Sequence, residues 1–425
     1  MAVRGWVAAL GAIVSIDASA TCWVQVPNTC LPNATLLTGS QPTYDKPGKT
    51  RTTGGSQSCG TNRLGAPRVD AAKAEWAGTW DAPLSEPIRW GNPLYADLCW
   101  HGGDVRGGFA PAMPWSDTHG TRAIRVHSNG STVEGVCVES IGDGVSVKWG
   151  LYLEDCPGAS DDYWKQGPPA SCETGAAPVT SFTVRGSYFR DIRDDAIEGD
   201  YLPGGLIEDV LIDGAFTAFG FRMQECDHGV DGRDRTLEIG HSLVRLQDTV
   251  WEPARGRFEH GQFFKWPTEN VDCNPPLGDQ DCNDPTTEDC TCPDKGLRLN
   301  IHDSHFRVDN HNSDAANALR MPTGSDGTTK LGSCSNNVVT WLGGGGPYTS
   351  CPAPAPQYPN SAVPCDLQHW NDGFKGCFVF RTDASTWNQD RRAWITSHGC
   401  TCGTPGCPDC EGLLAPKQVP RAIVD

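Results

Sequence analysis

The segments VRGSYFR (184–190), IGHSLVR (239–245) and IHDSHFR (301–307) share one register. Each runs apolar residue, two others, Ser, any residue, apolar residue, Arg. Ser187, Ser242 and Ser304 therefore align, as do Phe189, Val244 and Phe306. VEGVCVE (133–139) is a looser copy, and IEDVLID (207–213) keeps only the apolar positions. The step from Val184 to Ile207 is 23 residues. The step from Val133 to Val184 is 51, read as two such steps plus a loop around 157–178. A unit of roughly 23 residues holding two or three short strands is what one coil of a parallel β-helix requires. Each coil offers its neighbour an unpaired strand edge, and stacking satisfies those edges while burying a continuous apolar column. The small residue at the Ser position is expected at a tight inward corner. A β-sandwich lacks such a single-strand register, and a propeller repeats at roughly 40–50 residues.

Composition agrees. The chain of 425 residues holds 49 Gly and 32 Pro, about a fifth of the total against a usual share of roughly 12%. Both residues interrupt helices, so bundles and coiled coils are excluded. A net charge of −18 argues against nucleic acid and anionic membranes as partners. Twenty cysteines point to an oxidising compartment. Residues 1–20 read as a signal peptide, with Arg4 in the n-region and cleavage after Ala20 in Ala18-Ser19-Ala20. No later run approaches the roughly 18 apolar residues of a membrane helix. A secreted monomer without a membrane span is expected.

The organisation expected is an irregular Pro/Gly/Thr-rich region over 21–97, with one short helix around 70–76, then stacked coils over 98–398. CFVF (377–380) reads as the final strand. Ser385 reads as N-cap of a helix whose Trp387 and Trp394 cover the open end of the apolar column. VDCNPPLGDQDCNDPTTEDCTC (271–292), within a loop insertion over 271–296, has almost no apolar content and reads as a disulfide-fastened loop. The tail, 399–425, carries CTCGTPGCPDC (400–410). Two disulfides are favoured there over a zinc knot. The cysteines are thus expected to staple loops and tail more than coils.

The corner pattern apolar-x-[GDN]-[SNC]-x-[FIV] resembles that of the pectate-lyase-like (pectin-lyase-like) right-handed parallel β-helix superfamily. A closer resemblance is to secreted bacterial β-helix proteins of unassigned activity, carried by CWHGGDVRG (99–107), GDG (142–144), IRDDAIEGDYLPGGLIEDVLIDGAFTAFGFR (192–222), FKW (264–266) and NNVVTWLGGG (336–345). The resemblance covers roughly 98–398. It implies an all-β fold, a single-stranded right-handed parallel β-helix with long disulfide-linked loops and a short C-terminal helix. The crossover rule gives the same hand.

The richest constellation is RDDAIEGD (193–200). On a regular strand with Ile197 inward, Asp195 points inward and Asp194 and Glu198 outward. Counting from Val184 and Val133, Asp194 aligns with Asp143, about two coils and roughly 10 Å away. Two carboxylates at such a spacing suit an inverting glycoside hydrolase. The resemblance implies more: pectin-degrading hydrolases of the superfamily carry an Asp, an Asp pair and a His-Gly step in order, matched here by Asp143, Asp194-Asp195 and His260-Gly261. Glu259 stands where that pattern has Gly, and no R-x-K follows the His. Two other readings stay open. The cluster could cap corners, or bind calcium, with Asp191 and Asp200 as further ligands. Calcium would suit elimination across a uronic acid, with Arg193, Arg222, Lys265 and His260 as neutralisers or bases. Glu198 is a further substrate contact, and Trp266 offers a stacking face for a sugar. The expected partner is an extracellular polysaccharide, cleaved by hydrolysis or elimination. The alternative is a non-catalytic adhesion or glycan-binding protein.

Overall fold

The computed structural model describes residues 22–26, 35–39, 72–76, 79–80, 88–90, 97, 99–107, 109, 113–126, 128–147, 179–199, 202–221, 232–252, 257–265, 296–309, 331–342 and 377–401. The signal-peptide stretch, most of the 271–296 insertion and nearly all of the tail lie outside them.

The described residues are strand-rich, and almost every pairing is parallel. One sheet orders nine strands as Thr35–Gly39, Ala72–Trp76, Cys99–His101, Ser131–Glu134, Ser181–Arg185, Gly204–Glu208, Thr236–Gly240, Arg298–His302 and Leu331–Ser335. The second sheet holds thirteen, running from Ile88–Trp90 through Arg122–Val126, Asp143–Val147, Tyr188–Glu198, Leu211–Gly220, Leu243–Leu246, His305–Val308 and Asn337–Trp341 to Phe378–Arg381, with four further strands beside that path. Parallel neighbours cannot be joined by a tight hairpin. From Ala72 onward the chain alternates instead, and each strand of the first sheet is followed by one of the second. The exception is an antiparallel ribbon between Thr249–Glu252 and Arg257–Glu259. The sheets reach back before residue 98, and Ala72–Trp76, expected as a helix, is a strand.

The repeat's register is the register of the sheets. Trp100, Val133, Val184, Ile207, Ile239 and Ile301 pair in succession in the first sheet. Val105, Val138, Phe189, Ile212, Val244, Phe306 and Val339 do so in the second. Both columns belong to one buried cluster. Sheets covered on both faces read as apolar runs, and here the two inner faces cover one another. Val133 pairs directly with Val184, so the 51-residue step is a single rung with an excursion beyond Val147, not two rungs.

The corner chemistry is also visible. The residue before the Ser position has positive φ in Gly186, His241 and Asp303, and likewise in Gly135, Asp209 and Asn336 of the other rungs. Gly, Asp and Asn tolerate that left-handed backbone best, which is why they recur there. The serines then hydrogen-bond rather than merely being small. Ser242 Oγ donates to Gly240 O at 2.7 Å and accepts from Val210 N at 3.4 Å, while Ser304 Oγ accepts from Ser242 N at 3.1 Å. Asn337 continues the ladder, accepting from Ser304 N and donating to Ile301 O.

The helix Ser385–Ser397 is present, but its placement differs from expectation. Ser385 is its first residue, and its amide donates to Asp383 Oδ1 at 2.9 Å. The helix lies along the wall of the second sheet. Trp387, Trp394 and Ile395 pack with Cys137, Tyr188, Leu211 and Leu243, which precede the core column by one residue and so face outward. An apolar outer column needs a cover, and the helix supplies it together with Trp23, Val24 and Val26. The repeated Arg secures the joint. Arg391 binds Asp213 Oδ2 at 2.6 Å, Asp213 Oδ1 binds Arg245 at 3.2 Å, and Arg245 and Arg307 share Asp309. Burial alone would raise the Asp213 pKa, yet Arg391 and Arg245 hold it below the usual carboxylate value.

Two disulfides are described, and both touch the rungs rather than loops alone. Cys22–Cys137 ties the first described segment to the sheet wall, and Cys334–Cys377 joins successive rungs. Cys99 and Cys400 are disulfide-bonded as well.

Candidate functional site

The site arises from an irregularity in the long strand Tyr188–Glu198. Its first half pairs Phe189 with Val138 and Ile192 with Ile141; its second half pairs Ile197 with Val145. One extra residue has entered between Ile192 and Asp195, where the pairing with Leu211–Gly220 also shifts. Bulges of this kind turn side chains to new positions. The extra residue brings Asp195, not Asp194, level with Asp143, and the Asp195 amide donates to Asp143 Oδ1 at 3.2 Å. The simple strand parity is lost, so Arg193, Asp194, Asp195 and Glu198 are all buried.

The strand of Asp143 is the immediate neighbour of that of Asp195. The expected two-coil gap of about 10 Å is therefore absent. One carboxylate oxygen from each of Asp143, Asp194 and Asp195 lies within 4.8 Å of the others. Asp143 and Asp195 are each 1% exposed and Asp194 9%, so Asp194 is the most open of the three. Cations flank the group. Lys265 Nζ lies 3.1 Å from Asp195 Oδ2. Arg122 Nε lies 3.1 Å from Asp143 Oδ2 and 3.3 Å from Glu198 Oε2, and Ser146 Oγ donates to that Glu198 oxygen at 2.6 Å. Trp115 Nε1 donates to Asp194 Oδ1 at 3.4 Å, with the Trp115 ring stacked on His119. Gly220 leaves the room this carboxylate occupies, because a Cβ on it would lie 2.0 Å from Asp195 Oδ2.

Burial raises the Asp194 pKa well above its usual value, and the Asp195 charge adds to this against the pull of Lys265 and the Trp115 hydrogen bond. Burial also raises that of Asp143, with Glu198 repelling and Arg122 opposing. A carboxyl whose pKa is raised, beside an ion-paired carboxylate, is the arrangement of a matched proton donor and acceptor. The same three side chains form the buried group among the described residues suited to a hard cation.

The remaining expected site residues have partners of their own. His260 is buried, its Nδ1 2.9 Å from Gly261 O, and Gly261 packs on Thr217, the strand partner of Asp195. Arg193 pairs with Asp191 at 3.3 Å. Asp191 is a corner residue with φ 54°, accepting from Ser140 Oγ and Gln247 Nε2. Its carboxylate is thus engaged by Ser140, Gln247 and Arg193 at that corner. Asp200, Arg222 and Trp266 lie outside the described residues. Arg122, Trp115 and Ser146 were not foreseen. Arg122 had a signal, since it precedes Asp143 by 21 residues, close to the repeat step. Trp115 had none.

Comparison with protein-family models, curated proteins and solved structures finds no match to this chain.

Proposed function

We propose that the chain is a secreted polysaccharide-cleaving enzyme of the pectate-lyase-like kind, built as a right-handed parallel β-helix. The alternation of the chain between two parallel sheets, the left-handed corners and the Ser ladder support the coil reading. The right hand is that of parallel crossovers generally. The observation that carries the activity is the convergence of Asp143, Asp194 and Asp195 beside Lys265.

In this reading Asp194, the most open and proton-retaining carboxyl, donates its proton to the glycosidic oxygen. Asp195, ion-paired to Lys265 and beside Asp143, is the anionic partner. The short separation leaves no room for the intervening water of an inverting site, whose carboxyls stand roughly 6.5–9.5 Å apart. A direct carboxylate attack on the anomeric carbon, with retention, fits better. Hydrolysis is favoured over elimination because Lys265 and Arg122 are engaged by the site's own carboxylates. A uronate would have to compete for them.

A polysaccharide panel tests this. Release of reducing ends without the ultraviolet absorbance of a new carbon–carbon double bond supports hydrolysis. Release accompanied by that absorbance replaces it with elimination. No release, with wild type and Asp194→Asn alike, would leave a glycan-binding scaffold as the better account.

A further inference from the structure

Away from the carboxylate site, His241, His302 and Asp303 meet on two successive corners of the first sheet. Gly240 pairs with His302 in the parallel ladder, and His241 and Asp303 follow as the left-handed corner residues, with φ of 49° and 51°. The ladder spacing of roughly 4.8 Å thus fixes both corners side by side. One ligand atom from each of the three lies within 4.8 Å of the others.

The ring of His302 is held, not loosely displayed. It lies edge-on to His241 at 5.4 Å between centroids. A Cβ on Gly240 would come within 2.4 Å of His302 Cε1, so the ring occupies space that only glycine leaves there. Its Nε2 lies 3.1 Å from Glu238 Oε1 and its Nδ1 3.0 Å from Asp303 Oδ2. Asn336 Nδ2 donates to Asp303 Oδ1 at 3.1 Å, steering that carboxylate.

We propose that His241, His302 and Asp303 form a divalent zinc site, with Glu238 orienting His302 through its Nε2–H. His302 Nδ1, on the Asp303 side, is the ligating nitrogen. A carboxylate on the second ring nitrogen is the usual support of a metal-bound histidine, fixing tautomer and orientation. Two imidazoles and one carboxylate suit zinc better than calcium, which prefers oxygen ligands. Tetrahedral zinc with ligands near 2.0–2.1 Å needs them roughly 3.4 Å apart, so His302 Nδ1 and Asp303 Oδ2, now hydrogen-bonded at 3.0 Å, open slightly to admit the ion. Three protein ligands leave the fourth position to water.

The full chain, stripped with chelator and titrated with zinc by calorimetry, tests the site. Cobalt(II) serves as a coloured substitute reporting the ligand field. Expected is one zinc per chain that excess calcium does not displace. His302→Gln should abolish that binding and the cobalt spectrum. His241→Asn, which keeps a residue suited to the left-handed corner, should weaken it at least tenfold. Glu238→Gln should weaken it roughly 10–100-fold, as loss of supporting carboxylates does elsewhere. Circular dichroism checks that each variant is folded. The proposal is overturned if wild type binds no zinc at micromolar concentration, or if folded His241→Asn and His302→Gln bind it as tightly as wild type.

Discussion

The amide of Asp195 donates to the carboxylate of Asp143 across two neighbouring parallel strands, at 3.2 Å. That bond exists because one extra residue shifts the strand register between Ile192 and Asp195. It places two acidic side chains where regular pairing would have set Asp194 against Asp143. Asp195→Asn and Asp143→Asn should each lower kcat/KM on the identified glycan by roughly 10²–10⁴-fold, the usual scale for a lost acid–base group. Binding measured with the uncleaved substrate should change far less. Equal losses in both would contradict the assignment.

Asp194 gives a test in stability. Its folded pKa is raised, chiefly by burial and then by Asp195. Its contribution is therefore favourable below the ordinary carboxylate pKa and is lost as pH rises through the raised folded value. Asp194→Asn removes that loss. At neutral pH the variant should be more stable by about 1–3 kcal/mol, the size of like-charge repulsion at this range with an effective dielectric near 20. The gain should vanish in acid. Thermal melts of both proteins from acid to neutral pH measure it, and activity should fall while stability rises.

Asp213 behaves oppositely. Despite burial its folded pKa is lowered by Arg391 and Arg245, so its contribution is present above the ordinary carboxylate range and lost as pH falls through the folded value. Acid should therefore loosen the helix Ser385–Ser397 from the sheet wall, read as a change in fluorescence from Trp387 and Trp394. Asp213→Asn should do so at neutral pH, costing roughly 3–5 kcal/mol, because Arg391 and Arg245 lose the buried carboxylate they share.

The Ser ladder predicts a smaller effect. Ser242→Ala removes the hydroxyl that accepts from Val210 N and donates to Gly240 O. Loss of about 1–2 kcal/mol is expected in denaturant unfolding, since a buried amide loses its side-chain acceptor. A comparable cost should follow Ser304→Ala, where Ser242 N loses its acceptor.

The rung register could be read from the sequence because it is local and repeated. An apolar residue, a corner residue tolerant of positive φ, a Ser and another apolar residue recur at fixed offsets, and the observed pairs of Val184, Ile207, Ile239 and Ile301 follow that frame. The Arg at the end of each copy was equally regular, but its purpose was hidden. In two copies it reaches a helix that begins 78 residues beyond the last one, Arg245 through Asp213 to Arg391 and Arg307 directly to Asn388.

Sequence alone determined the all-β class, the parallel register and the short list of acidic residues from which a site could be drawn. The tertiary structure decided which acids meet, where the helix lies, and that His241, His302 and Asp303 share a corner. The physical reason lies in how a stacked chain measures distance. Two residues one rung apart are about 5 Å apart whether 21 or 52 residues separate them, because an excursion lengthens the chain without lengthening the stack. A one-residue bulge, invisible in a hydrophobic pattern, then moved the facing carboxylate from Asp194 to Asp195.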